Sequence, residues 1–198
     1  EQNPGKLVLY SGRSESLVGP IIQQFTKATG IEVEVKYGKT GAIAATLLEE
    51  GKNSPADVFF AQDPGGLGAV ANNNQLTSLS PKILDQVPAW AKSDKGLWIG
   101  ISGRARVVVY STTNGISPSE LPTSILEFTN PKWNGRIGWP PTNGSFQAMV
   151  TAMRVEFGEA KTKKWLEGIK SNNPKVYPKN TPTVAAAAAG EIDVGFVN

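Results

Sequence analysis

The chain has 198 residues, 39% of them hydrophobic, and a formal charge of +3, which suits one large α/β domain or two small lobes and not a disordered tail. It has no cysteine and no histidine, which removes disulfides, zinc-thiolate sites, thiol catalysis, the usual general base and the commonest metal ligand. Its lysines are scattered, no basic run is interleaved with aromatics and no segment approaches the length of a membrane span, so the expected partners include no nucleic acid and no membrane span is expected. The opening Glu1-Gln2-Asn3-Pro4-Gly5 leads directly into a strand, as in an exported protein after removal of its signal peptide and equally in a cytoplasmic one.

The first third alternates between strand and helix patterns. Lys6–Tyr10 is a short buried strand, and Ser11-Gly12-Arg13-Ser14 is the turn at its end. Ser14 or Ser16 can cap a helix whose apolar positions Leu17, Ile21, Ile22 and Phe25 share one face, with Thr29-Gly30 at its close. Ile31–Tyr37 alternates like a strand, Ala42–Glu50 reads as a helix, Asp57–Phe60 as a third strand and Gly65–Ala71 as a short helix. Such alternation implies a parallel sheet covered on both faces. Ligand sites then lie at the C-terminal strand ends, where Ser11–Ser14, Gly38–Thr40 and Gln62–Asp63 should converge.

Residues 75–100 are less regular. Ser102–Tyr110 follows as a strand with two arginines at its start, and marks a hinge-like boundary between lobes at 1–103 and 104–198. The second lobe repeats the alternation: strand Arg136–Trp139, helices Phe146–Phe157 and Ala160–Lys170, strand Lys175–Tyr177, helix Thr183–Ala189, strand Ile192–Val197. The run Ala185–Ala189 is helical by propensity and small enough to pack tightly on a sheet.

The stretch Gly138–Phe146 organises this lobe. Two prolines stop a strand, Thr142, Asn143 and Ser145 are good helix caps, and Gly144 allows close backbone approach. A helix starting there offers unpaired N–H groups, a hydroxyl and a positive dipole end to a small anion; read alone, the stretch is also an ordinary capped turn. Arg13 and Arg104 lie at or beside strand ends, either as solvated or salt-bridged arginines or as bidentate partners of an oxyanion.

Other motifs carry less. Lys39-Thr40-Gly41 lacks the Ser-x-x-Lys nucleophile of the penicillin-recognising enzymes, and Gly65-Gly66-Leu67-Gly68 is too short for a dinucleotide loop. Asn143-Gly144-Ser145 is formally a glycosylation sequon, and Asp57 and Asp63 read as structural caps rather than a catalytic pair.

Six segments in order, Tyr10–Arg13, Gly30–Val33, Pro55–Phe59, Ser102–Tyr110, Pro131–Gly138 and Gly190–Asp193, resemble the periplasmic ferric-ion-binding proteins that serve ATP-driven iron importers. The resemblance runs from the first strand to the last residue. It implies an α/β, two-lobed periplasmic-binding-protein fold (type II) that closes on a ligand in its cleft. It also implies capture of Fe(III) with a synergistic anion, carbonate or phosphate, and delivery to an ABC transporter permease by a monomer in the periplasm or tethered outside the cytoplasmic membrane. Fe(III) is a hard cation suited to oxygen donors, which is consistent with a chain lacking His and Cys.

On this resemblance the anion cradle maps onto Asn143, Gly144 and Ser145, with Asn180 and Asn198 alongside, and Arg13 and Arg104 match arginines that hold carbonate in some members. Positions that carry a histidine and a glutamate ligand in some members are Ser14 and Gln62 here, as in the branch that relies on tyrosines and anion. The family's tyrosine pair is expected just after Asn198, so no metal ligand is assigned within the chain, and the family's C-terminal third is expected to be missing from it. A fragment of this kind should keep the anion half-site and lose tight iron binding. The alternatives are a same-superfamily binding protein for a phosphonate, sulfate or an organic cation, and, from another class, a periplasmic hydrolase. The hydrolase is disfavoured because no activated nucleophile is visible.

Overall fold

The computed structural model describes residues 5–198; the opening stretch before Gly5 lies outside the described residues. The chain divides into two compact units, Glu1–Gly103 and Arg104–Asn198.

Unit 1 is built on a three-stranded parallel sheet of order β2-β1-β3, with β1 (Lys6–Ser11) between β2 (Glu32–Tyr37) and β3 (Val58–Phe60). Helices α1 (Glu15–Thr29), α2 (Thr40–Glu50) and α3 (Pro64–Asn72) follow the three strands, and a single turn, α4 (Pro81–Leu84), follows later. Gly30 ends α1 in the left-handed conformation at φ 74°, which costs a residue without a Cβ little. The core gathers Tyr10 from β1, Ile43, Ala44 and Leu47 from α2 and Val70 from α3. Tyr10 also donates its hydroxyl to Glu50 Oε1 at 2.9 Å, tying the end of α2 to the central strand.

The apolar face expected for α1 is not the face it buries. Val18 and Gly19 are buried, whereas Leu17, Ile21 and Phe25 are 57%, 63% and 40% exposed. Residues 17, 21 and 25 form one row along a helix and 18 and 22 the adjacent one, so the apolar stripe is wider than the strip covered beneath it.

Unit 2 carries a mixed four-stranded sheet of order β4-β7-β5-β6, from β4 (Val107–Tyr110), β5 (Ile137–Trp139), β6 (Lys175–Val176) and β7 (Val194–Val197). Strands β7, β5 and β6 run parallel, and β4 runs antiparallel to β7, so the simple repeat of parallel alternation does not hold here. The strand expected over Ser102–Tyr110 also shortens to Val107–Tyr110. Its ladder starts with Val107 opposite Val197, the last residue of β7, so the backbone before Val107 has no partner strand to extend it.

Helices α5 (Gly144–Phe157), α6 (Glu159–Ser171) and α7 (Asn180–Ala188) complete the unit. Phe196 of β7 sits at the middle of an aromatic core, edge-on to Phe128 at 5.4 Å and tilted against Trp165 at 5.6 Å. Ala186 and Ala187 of α7 are buried with Ile192. Close approach also needs Gly138 and Gly195: a Cβ on Gly195 would lie 2.7 Å from Thr183 Cγ2 of α7, and one on Gly138 2.4 Å from Ile192 Cδ1.

Candidate anion-binding site

The end of β5 makes the site possible. After Trp139 the two prolines halt the strand, and Asn143 N–H closes a turn on Pro140 O at 3.0 Å. Asn143 then caps α5: its Oδ1 accepts the Ser145 N–H at 3.0 Å, and its carbonyl accepts the Phe146 N–H. Gly144 is the first residue of α5 and Ser145 the second, so a helix N-terminus with its partial positive charge opens at the C-terminal edge of the sheet.

Three further elements end at the same edge. Asn198 follows β7, which runs parallel to β5. Asn180 opens α7, which follows β6, the parallel neighbour on the other side. Arg106 precedes β4, and because β4 is antiparallel its beginning lies beside the end of β7. Four separate segments thus deliver polar side chains to one place.

These side chains bond to one another. Ser145 Oγ lies 2.5 Å from Asn143 Oδ1 and 3.1 Å from Asn198 Oδ1, and accepts from Arg106 Nη2 at 2.8 Å and from Asn180 Nδ2 at 3.4 Å. Asn180 Nδ2 also donates to Asn198 Oδ1. Arg106 Nη1 donates to Asn180 Oδ1 at 3.3 Å and to the Phe196 carbonyl at 3.2 Å, and its guanidinium lies 5.9 Å from the centre of the Phe146 ring.

Arg106 is the residue with an unmet need. It is half-buried, its Nε is buried without a partner, and every acceptor it reaches is neutral. Among the described residues no carboxylate forms an ion pair with it. Burial, and secondarily the like charge of Arg104, push its pKa below the ordinary guanidinium range, to about 10. A cation held this way by neutral acceptors is suited to an anion, and a planar guanidinium matches an oxyanion. The sequence points to Arg104 for an oxyanion, and the arginine that bonds Ser145 and Asn180 is Arg106. Arg104 itself is exposed and lies outside the strand.

The remaining assigned residue, Arg13, belongs to unit 1, where it is half-buried and donates its backbone N–H to Ser11 Oγ at 3.1 Å. The three strand-end loops of that unit do come together. Gly12 N–H donates to Phe60 O and Gly38 N–H to Ser11 O, while the buried Thr40 hydroxyl accepts the Gln62 N–H at 3.1 Å and donates to Gly12 O at 3.5 Å. Asp63 caps α3 through Gly65 N–H, and Asp57 Oδ2 accepts the Val8 N–H, so both carboxylates serve the backbone. Among the described residues no group of three or more Asp or Glu side chains is placed to hold a metal ion, and no helix is long and apolar enough to cross a membrane.

Comparison with known proteins gives this geometry a context. Residues 7–198 match the family model described as bacterial extracellular solute-binding protein. The chain is 37% identical over 197 residues to the major ferric iron-binding protein of Neisseria meningitidis, covering 97% of this chain and 58% of that protein. It is 35% identical to the Fe(3+)-binding periplasmic protein of Serratia marcescens, covering 96% of this chain and 56% of that one. Among solved structures, iron-bound HitA from Pseudomonas aeruginosa superposes with a TM-score of 0.94 at 33% identity, over 98% of this chain and 63% of HitA. The chain therefore spans less than two thirds of the length of these relatives. Matched along nearly its whole length in sequence and in fold, this α/β chain belongs to the bacterial extracellular solute-binding proteins, and is similar to their periplasmic ferric-ion-binding members.

Proposed function

We propose that this chain carries the anion-binding part of a ferric-ion-binding protein, which captures Fe(III) together with carbonate or phosphate in the periplasm and hands it to an ABC-type importer. It acts by binding and not by turnover. The similarity to relatives named for ferric iron supports the cargo, and the matched family supports the class. The observation that carries the anion is the half-buried Arg106, with a buried unpartnered Nε and no carboxylate, among Ser145, Asn143, Asn180 and Asn198.

In this reading Arg106 supplies the charge, Ser145 and the side-chain amides of Asn180 and Asn198 supply hydrogen bonds, and the start of α5 at Gly144 adds its dipole. Arg104 adds a second positive charge nearby. The bound anion then offers Fe(III) hard oxygen donors, the kind of ligand that cation prefers.

Calorimetric titration of the chain with phosphate and with carbonate tests the assignment, run beside Asn143→Ala and Ser145→Ala. Each loss of a hydrogen-bonding group should weaken binding by about tenfold, the worth of one hydrogen bond to a charged partner. Binding equal to the parent chain in both variants would remove the cradle assignment.

A further inference from the structure

The hydrogen bonds inside the cradle fix which of its atoms are donors and which are acceptors. Ser145 Oγ takes two N–H donors, Arg106 Nη2 at 2.8 Å and Asn180 Nδ2 at 3.4 Å, which occupies both of its lone pairs. Its own proton is then left for Asn143 Oδ1 at 2.5 Å or Asn198 Oδ1 at 3.1 Å. Asn143 Oδ1 also accepts the Ser145 N–H, and Asn198 Oδ1 accepts from Asn180 Nδ2. Asn180 Oδ1 and the Phe196 carbonyl accept from Arg106 Nη1. Each of these oxygens is already an acceptor, and none belongs to a carboxylate.

The groups left over are of the opposite kind. Both bonds of Asn198 run through its Oδ1, so its Nδ2 is a donor without an acceptor among the described residues. Arg106 Nε is buried without a partner, and Gly144 N–H, the first of α5, has no acceptor one turn back in the helix. A fully deprotonated oxyanion only accepts, and so meets this surplus of donors with every oxygen. An anion that keeps an O–H brings a further donor. That donor either displaces an internal bond or stays unpaired, and an unpaired polar group in such a site counts against binding.

Resting on the anion-binding reading above, we propose that the cradle selects oxyanions by protonation state, taking those without an O–H over those that carry one, and that Asn198 is the specificity-determining residue. Carbonate is thereby favoured over hydrogencarbonate, and sulfate over hydrogen phosphate. The form selected is also the one whose oxygens are all open to a hard cation. An aspartate at 198 keeps an acceptor oxygen for Ser145 and Asn180 and turns the leftover amide donor into a charged acceptor, which an O–H can use and a bare oxyanion cannot.

The test is calorimetric titration at mildly alkaline pH, where sulfate, selenate, hydrogen phosphate and hydrogen arsenate are all tetrahedral dianions and only the last two carry an O–H. The parent chain should bind sulfate and selenate at least about tenfold more tightly than phosphate and arsenate, with the grouping set by the O–H and not by anion size. In Asn198→Asp, phosphate and arsenate binding should persist while sulfate and selenate weaken, so that the gap closes or reverses. Phosphate bound by the parent chain as tightly as sulfate, or more so, would overturn the selection while leaving the cradle in place. A gap unchanged in Asn198→Asp, or the loss of all four anions, would overturn the role given to Asn198. No binding of any of the four to the parent chain would overturn the anion-binding reading itself, and the selection with it.

Discussion

Two arginines of unit 2 show how context decides what a guanidinium does. Arg136 pairs through Nε with Asp193 and lies 5.1 Å from the Trp133 ring centre, while Asn114 holds the other Asp193 oxygen. Its charge is answered within the fold. Arg106 meets only neutral acceptors, and burial lowers its pKa to about 10. Because its folded pKa lies below the unfolded value, the charged form costs stability at neutral pH, and that cost disappears as pH rises from about 10 toward the ordinary guanidinium range. Arg106→Met should therefore leave the melting temperature of the anion-free chain unchanged or raised, as replacing an uncompensated charge by a well-packed apolar side chain often does. It should also abolish measurable phosphate binding; calorimetry and a thermal melt check the two halves. Sulfate, whose own charge is constant between pH 7 and 11, isolates the titration of the protein. Its affinity should fall as pH passes about 10, where Arg106 loses its proton, and Arg106→Lys should show a different profile.

At the scale of elements, the cradle is only as well placed as the helices that carry it. The cap at Asn143 both starts α5 and aims Ser145, so Asn143→Ala should cost about 1 kcal/mol of stability in addition to its effect on phosphate, measurable by denaturant titration. Helix α7 rests on β7 through the contact between Gly195 and the fully buried Thr183. A methyl group at Gly195 meets Thr183 Cγ2 at 2.7 Å and Val109 Cγ1 at 3.1 Å, so one of α7 or β4 must shift. Gly195→Ala should destabilise the unit by about 1–3 kcal/mol. It should also weaken phosphate binding without touching a polar group of the cradle, because Asn180 on α7 and Arg106 before β4 move with their elements.

At the scale of the whole chain, the two units are built around separate cores, one on Tyr10, Ile43, Leu47 and Val70 and the other on Phe128, Trp133, Trp165 and Phe196. Phosphate at 100 times its dissociation constant should stabilise unit 2 by about 2.7 kcal/mol by mass action, as hydrogen exchange of its core amides will show. The exposed row Leu17, Ile21 and Phe25 lies outside the core of unit 1. Replacing Leu17 and Ile21 by lysine should accordingly change stability by no more than about 0.5 kcal/mol each. The amino-acid sequence by itself determined what depends on local rules: the strand–helix alternation, the proline stop after Trp139, the Asn143 cap, the Gly30 terminus and the packing of the alanine run. The ordered motifs also carried the resemblance that named Asn180 and Asn198. Only the tertiary structure decided that Arg106 bonds Ser145 and Asn180. A residue before a strand lies at the wrong end of a parallel sheet, and the antiparallel pairing of β4 with β7, a contact between residues about 90 positions apart, brings Arg106 to the edge where β5 and β7 end. It likewise decided which row of α1 is buried, because periodicity defines an apolar stripe but not how much of it a neighbour covers.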